Sequence, residues 1–387
     1  MSTDPLIATL VMFLAAGVCA LPFLPALIEW IAKTDAAPLV VVREQDANIR
    51  HFAASFFEQI QEFFSQHAID TRAPPEPFEA AFGRGETAQF LGIEQKPVFT
   101  ETERRSRRVR SVLISAGDLM LEGGFVFENE IYCGRQLYAG SNNTYRAVYA
   151  GTDLILGPQS TVARWLHSQG HVYIGEESRV FGRISSASSI TLANGVRFER
   201  LNATVIRFES DTLVNVSKIL EPAAKTPWEP PKNALKIDKN TVLIDQNAEL
   251  PAHASHRGNI ISKAELFLGN GCRISGNLKG RKRLTVGPSS VIRGSLVSEG
   301  EINIGASSLV LGPIVSETLV RIDTDCVIGA PRLPTSVTAP IIEIAIGSEL
   351  SGTLWAAQEG RVVSKADETQ DRPTAAKDVM VEQQRTA

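Results

Sequence analysis

The sequence predicts an all-β protein: a parallel β-solenoid of 18-residue coils, behind an N-terminal transmembrane helix and a short amphipathic helix. Three observations carry this expectation. Apolar residues recur every 18 positions in several columns at once, with Leu268, Val286, Ile304 and Ile322 in one and Ile274, Ile292, Val310 and Ile328 in another. Leu266, Leu284, Ile302 and Val320 keep the same step, as do Leu278, Leu296 and Ile314, and so do Gly276, Gly294 and Gly312. Within a coil, apolar and polar residues alternate, as in Leu284-Thr285-Val286, and that alternation marks strands rather than helices. Gly287-Pro288, Gly305 and Gly312-Pro313 punctuate the strands, because glycine bends the chain and proline presets φ. Short strands joined by corners at a fixed period stack each column on itself, about 4.8 Å per coil.

In chain order, residues 1–32 read as a membrane anchor. Leu6 to Ile28 is a run of 23 residues without a charge, long enough for the ~20 residues a spanning helix needs. The five residues before it hold one acid and no base, unlike the basic start of a signal peptide. Pro22 and Pro25 leave a re-entrant hairpin open. Lys33, Arg43 and Arg50 follow the run, so the positive-inside bias places the bulk of the chain in the cytoplasm, behind a single pass of the inner membrane. Cys133, Cys272 and Cys326 are then expected as reduced thiols.

Residues 33–70 form an amphipathic helical segment, N-capped at Asp46, with Phe52, Phe56, Ile60, Phe63 and Phe64 at helical spacing. Its polar face carries Glu58, Gln59, Gln61 and Glu62, not the Lys/Arg of an interfacial helix, so it is expected to pack on its own domain or on a sister copy. Residues 71–111 read as a Pro/Arg-rich tether, extended through Pro74, Pro75, Pro77, Gly83 and Gly85. Arg104, Arg105, Arg107, Arg108 and Arg110 are a candidate lipid contact, worth about 1 kcal/mol each near an anionic surface. The alternative is a solvated linker whose charge Glu101 and Glu103 partly offset.

Residues 112–220 make a first solenoid block, with Leu156, Ile174 and Leu192 in step, and likewise Val162, Val180 and Phe198. Gly182 holds the glycine column but Arg164 and Arg200 break it. A Pro-rich interruption spans 221–233 and a second block 234–364, in which Ala330 to Pro334 adds a loop. Leu192 and Leu268 are 76 residues apart, not a multiple of 18, so the blocks are out of phase and the sequence leaves open one rod or two. Residues 365–387 read as a polar, disordered tail.

An 18-residue coil also suits the left-handed hexapeptide helix of acyltransferases, which needs an aliphatic residue every six positions. Ile304 and Val310 obey, but the next position is Ser316, and its counterparts are Ser298 and Gly280. The rule fails once per coil, which favours a right-handed triangular helix. The stretch Leu284-Thr285-Val286-Gly287, Val291 to Leu296, Ile304-Gly305 and Leu311 to Ile314 resembles the core of the bactofilins, bacterial polymer-forming cytoskeletal proteins. The likeness is good over about 258–329 and weaker over about 153–200. It implies nucleotide-independent, end-to-end assembly of β-helical rods into a membrane-associated scaffold that recruits envelope or polysaccharide-synthesis proteins. This chain departs from the family by its two blocks and long N-terminal additions.

Assembly also follows from the fold, since a solenoid ends in unpaired strand edges unless it is capped. Caps are available in the Phe-rich helix for one end and the loop near Pro331 to Pro340 for the other. A net charge of −4 argues against a nucleic-acid partner. No Gly-rich strand-to-helix loop ends in Lys-Ser/Thr, so no nucleotide and no cofactor is expected. His167 with His171 and His253 with His256 read as solvated corner residues rather than metal ligands or catalytic bases. Cys272 and Cys326 share a register position three coils apart, roughly 14 Å, too far for a disulfide. The sequence thus points to a non-enzymatic, self-associating membrane scaffold. The alternatives are a hexapeptide-type acyltransferase, expected as a discrete trimer, and a non-polymerising adaptor in polysaccharide export.

Overall fold

Two features of the repeat dictate the architecture: inward columns that must be buried, and corners that must turn every few residues. In the computed structural model, which describes Leu14 and residues 49–83, 85–93, 96–209 and 226–364, both are realised as a parallel β-solenoid. Strands pair with the strand one coil on, as Leu284 with Ile302 and Ile292 with Val310. Leu268, Val286, Ile304 and Ile322 are at most 2% exposed, as are Ile274, Ile292, Val310 and Ile328. The 18-residue step widens to 22 where Val320 meets Ile342, and the four extra residues are accommodated around Ala330–Leu333, which close a bridge on themselves.

The first block keeps the same plan but mixes 18- and 17-residue steps, as from Leu113 to Ile131 and from Ile131 to Val148. Bulges between Val162 and Trp165, and between Val180 and Arg183, absorb the difference. Arg164, Gly182 and Arg200 all lie at these irregularities, within continuous strands, so the position needs no glycine as the corner at Gly276, Gly294 and Gly312 does.

The Phe-rich segment forms helix α1, His51–Gln66, burying Ala53, Phe56, Ile60, Phe63 and Phe64. Phe52, expected on the apolar face, is 50% exposed and lies under the Arg183 guanidinium. The helix does not cap an end of the rod. It lies along one lateral face, over Phe90, Ile114, Tyr132, Tyr149 and Trp165. Phe90, Ile114, Tyr132, Tyr149, His167 and Ser185 sit on six successive strands. Five steps of ~4.8 Å equal about 24 Å, the length of 16 helical residues at ~1.5 Å each. Helix length and coil spacing are therefore matched.

The segment expected as an extended tether contains a hairpin, Phe78–Phe82 against Glu86–Phe90. Phe78, Ala80 and Phe82 alternate with the exposed Glu79 and Ala81, and Gly83 and Gly85, both at positive φ, make the turn. The apolar run at 6–28, Asp46 and the tail from 365 lie outside the described residues, Leu14 excepted. Among the described residues no helix is long and apolar enough to cross a membrane.

Candidate assembly surfaces

A solenoid binds at its ends or along its faces, and the two blocks present four ends. Two of them meet each other. Strand Arg197–Phe208, the last of the first block, pairs antiparallel with Glu349–Val363, the last of the second: Leu201 faces Leu354, Asn202 faces Thr353 and Ile206 faces Leu350. The two blocks thus point in opposite directions along a single continuous sheet, and one hydrophobic core runs through the joint. Asn202 Nδ2 donates to Thr353 Oγ1 at 2.9 Å, and Arg197–Glu359 and Arg207–Glu349 bridge at 3.2 Å. Arg200 stacks its guanidinium 4.3 Å above Trp355. Gly360 is required here, since a Cβ would collide with the Phe198 ring. None of these contacts was predicted. Of their residues Phe198 alone lies in an 18-residue column named above, with Val162 and Val180, and Arg200 is a break in another.

At the starting end of the first block two apolar side chains close the core, while Ile93 and Val98 stay 67% and 68% exposed. Leu91 and Phe99 are 2% and 5% exposed and join the core, with the Phe99 ring 4.8 Å from Phe125. A short helix α2, Glu101–Ser106, follows Phe99 without burying a side chain of its own, held by a capping box: Glu103 N–H donates to Thr100 Oγ1 and Thr100 N–H to Glu103 Oε2. The arginine cluster belongs to this cap. Arg104 donates to the Phe99 carbonyl, Arg105 bridges Glu101 at 2.9 Å, and Arg107, at φ 54°, lays its guanidinium 4.8 Å over Phe125. Arg108 and Arg110 both bridge Glu128.

The starting end of the second block is dressed differently. Strand Leu235–Lys236 pairs antiparallel with Leu243 and Val242, and Thr226–Pro227 pairs with Ala254–Ser255. Trp228 and Ala234 pack partly on the core, while Leu235 and Ile237 are 60% and 54% exposed.

The remaining chemistry-bearing residues are absorbed by the coils. His167 is not a solvated corner residue. It is buried beneath α1, with Nδ1 2.7 Å from Ser185 Oγ, and burial together with the Arg50 charge pushes its pKa down to about 4. His171 Nδ1 lies 2.6 Å from Ser189 Oγ, and His256 packs edge-on to Trp228. Cys133, Cys272 and Cys326 are free and buried. Burial pushes Cys133 and Cys326 up to about 12, which leaves no thiolate for nucleophilic attack near neutrality. Among the described residues no group of three His, Cys, Asp or Glu is placed to hold a metal ion. The chain matches no family model, no curated protein and no solved structure.

Proposed function

We propose that this chain is a self-associating scaffold of the kind the bactofilin resemblance implies: a right-handed β-helical rod held at the inner membrane by its N-terminal apolar run. In this reading the bulk faces the cytoplasm, presents a repetitive surface to envelope or polysaccharide-synthesis proteins, and performs no catalysis and no nucleotide-dependent step. Arg105 and Arg110, 81% and 82% exposed, are the cluster members that would meet anionic lipid. The observation that supports the reading is the joint: the end coil of one solenoid holds the end coil of another through paired strands and a shared core. A cross-section that binds its own kind inside the chain is suited to do so between chains. The test is mass photometry and negative-stain microscopy of the full chain in detergent, without nucleotide. Rod-shaped particles of more than one copy are expected. A strict monomer at every accessible concentration would dispose of the proposal.

A further inference from the structure

We propose that the face of the second block beside Trp228 carries a binding site for a small organic phosphate, with Arg257, Arg273 and Arg293 on the phosphoryl group and the Trp228 indole against the organic part. This goes beyond the scaffold reading and does not depend on it. The strands of this face are Ala254–Arg257, Arg273–Ser275 and Val291–Ile292, with Arg257 beside Ser275 and Arg273 beside Val291. Arg257 and Arg293 lie 36 residues, or two coils, apart on one column, so their Cα atoms stand roughly 10 Å from each other. Both are exposed. Arg273 lies on the coil between them, two residues to the side. The three arginines line one cavity of about 470 Å³, within the size range of small-molecule sites. Pro227 and Trp228 form part of its wall, and His256 packs edge-on to the indole with ring centres 5.2 Å apart.

The charges point to the ligand. Among the described residues no Asp or Glu lines the cavity, in a chain whose net charge is −4. Several cations elsewhere in this block are answered by a carboxylate: Lys263 by Asp245 at 2.6 Å, Arg281 by Glu299 at 2.8 Å and Arg321 by Glu343 at 2.7 Å. Among the described residues Arg257 and Arg293 have no such partner. Arg273 Nη1 donates to the Ser289 carbonyl at 2.7 Å, and burial together with the Arg293 charge pushes its pKa below the ordinary value. Cations gathered without an acid repel one another, and an anion between them relieves that repulsion. A phosphoryl group brings close to two negative charges and three acceptor oxygens, more than a carboxylate offers, and the guanidinium fork matches its geometry. The cavity has room beyond the phosphoryl group, and its Trp228 and Pro227 wall suits an apolar or ring-bearing substituent.

The experiment is isothermal titration calorimetry of the full chain in detergent at low salt, with phenyl phosphate and inorganic phosphate as probes. Phenyl phosphate is expected to bind about tenfold more tightly than inorganic phosphate. The double variant Arg257→Gln, Arg293→Gln gives up no ion pair among the described residues. It is expected to melt as the parent does and to weaken both probes by about tenfold or more. Trp228→Ala is expected to weaken phenyl phosphate alone, and Arg105→Gln, in the first block, to change neither probe. Absence of binding would overturn the proposal, as would an affinity indifferent to the double variant or equally weakened by Arg105→Gln. A preference for micelles of a short-chain phosphatidylglycerol over phenyl phosphate would overturn it in favour of a lipid contact. None of these results bears on copy number, so the scaffold reading stands or falls separately.

Discussion

At Ser290 the hydroxyl accepts the backbone N–H of Cys272 and donates to the Gly287 carbonyl, while Ser290's own N–H is received by Ser308 Oγ one coil on. Ser348 does the same for Cys326, and Ser178 for Ser160 in the first block. The residue before each is bent into the left-handed region, with Gln159, Glu177, Ser289, Ser307 and Asp325 at φ 55–59°. A buried corner amide without an acceptor would cost about 1–3 kcal/mol, so this ladder offsets the strain of the corner in the coils that carry it. The second corner works alike, with Ser298 and Ser316, the positions that break the hexad rule, each accepting the N–H two residues on. His167 is the polar residue here whose ionisation reads out its packing. Its folded pKa of about 4 lies below the ~6.5 of the unfolded chain, so the unfolded chain binds the extra proton between those values. The resulting stability is complete above pH ~6.5 and is lost as pH falls toward 4, by an amount on the order of 3 kcal/mol. Urea unfolding of the parent and of His167→Gln across that range is expected to show a shallower fall in the variant, and parallel curves would contradict the assigned burial. The apolar columns were legible because their period is local. The serine column was equally periodic but reads as solvent-facing until the corner geometry is known, and His167 could not be read as buried because its cover comes from a helix more than a hundred residues upstream.

Helix α1 shows what periodicity tells about an element and what it leaves open. Helical spacing identified Phe56, Ile60, Phe63 and Phe64 as one face, and all four are buried. Spacing alone does not say what that face covers. The lateral docking depends on outward aromatic residues, Tyr132, Tyr149 and Trp165, which sit at strand positions where polar side chains are the norm. The hairpin Phe78–Phe82/Glu86–Phe90 was hidden for a related reason: its glycines and the prolines before it resemble linker composition, and only partners upstream and downstream make it a sheet edge. Since each coil contacts mainly its neighbours, the loss of α1 packing should stay local. Phe64 is 6% exposed, with its ring 5.8 Å from Tyr132 and 6.3 Å from Phe90. Phe64→Ala is expected to weaken helix docking by about 3–5 kcal/mol, the range for a buried Phe truncation. Hydrogen exchange is expected to accelerate in α1 and the hairpin and to stay unchanged in strands such as Arg283–Val286. An equal loss of protection in the second block would contradict a helix that serves only its own face.

For the whole molecule the decisive feature is the reversal of direction at the joint. The out-of-phase spacing of the two blocks was visible as 76 residues between Leu192 and Leu268, yet it could not show that the chain's two last strands, 197–208 and 349–363, are neighbours. That pairing spans about 150 residues, and its side chains (Arg197 with Glu359, Asn202 with Thr353) answer to each other and to no column. The joint removes two strand edges at once and fuses two cores into one, so it should couple the blocks in unfolding. Leu354 and Leu201 face each other there, both fully buried. Leu354→Asp places a carboxylate opposite Leu201 without a cation to pair it, a substitution that costs several kcal/mol unless the surfaces part and admit water. Parting is the cheaper response, because each block retains its own ladder of coils. Calorimetry of the variant is therefore expected to resolve two transitions where the parent shows one. Hydrogen exchange is expected to rise in Arg197–Phe208 and Glu349–Val363 while Leu119–Leu121 and Glu265–Leu268, far from the joint on either side, keep their protection. A single transition at the parental temperature would mean that the shared core contributes nothing to holding the blocks together, and the support that the joint lends to assembly would fall with it.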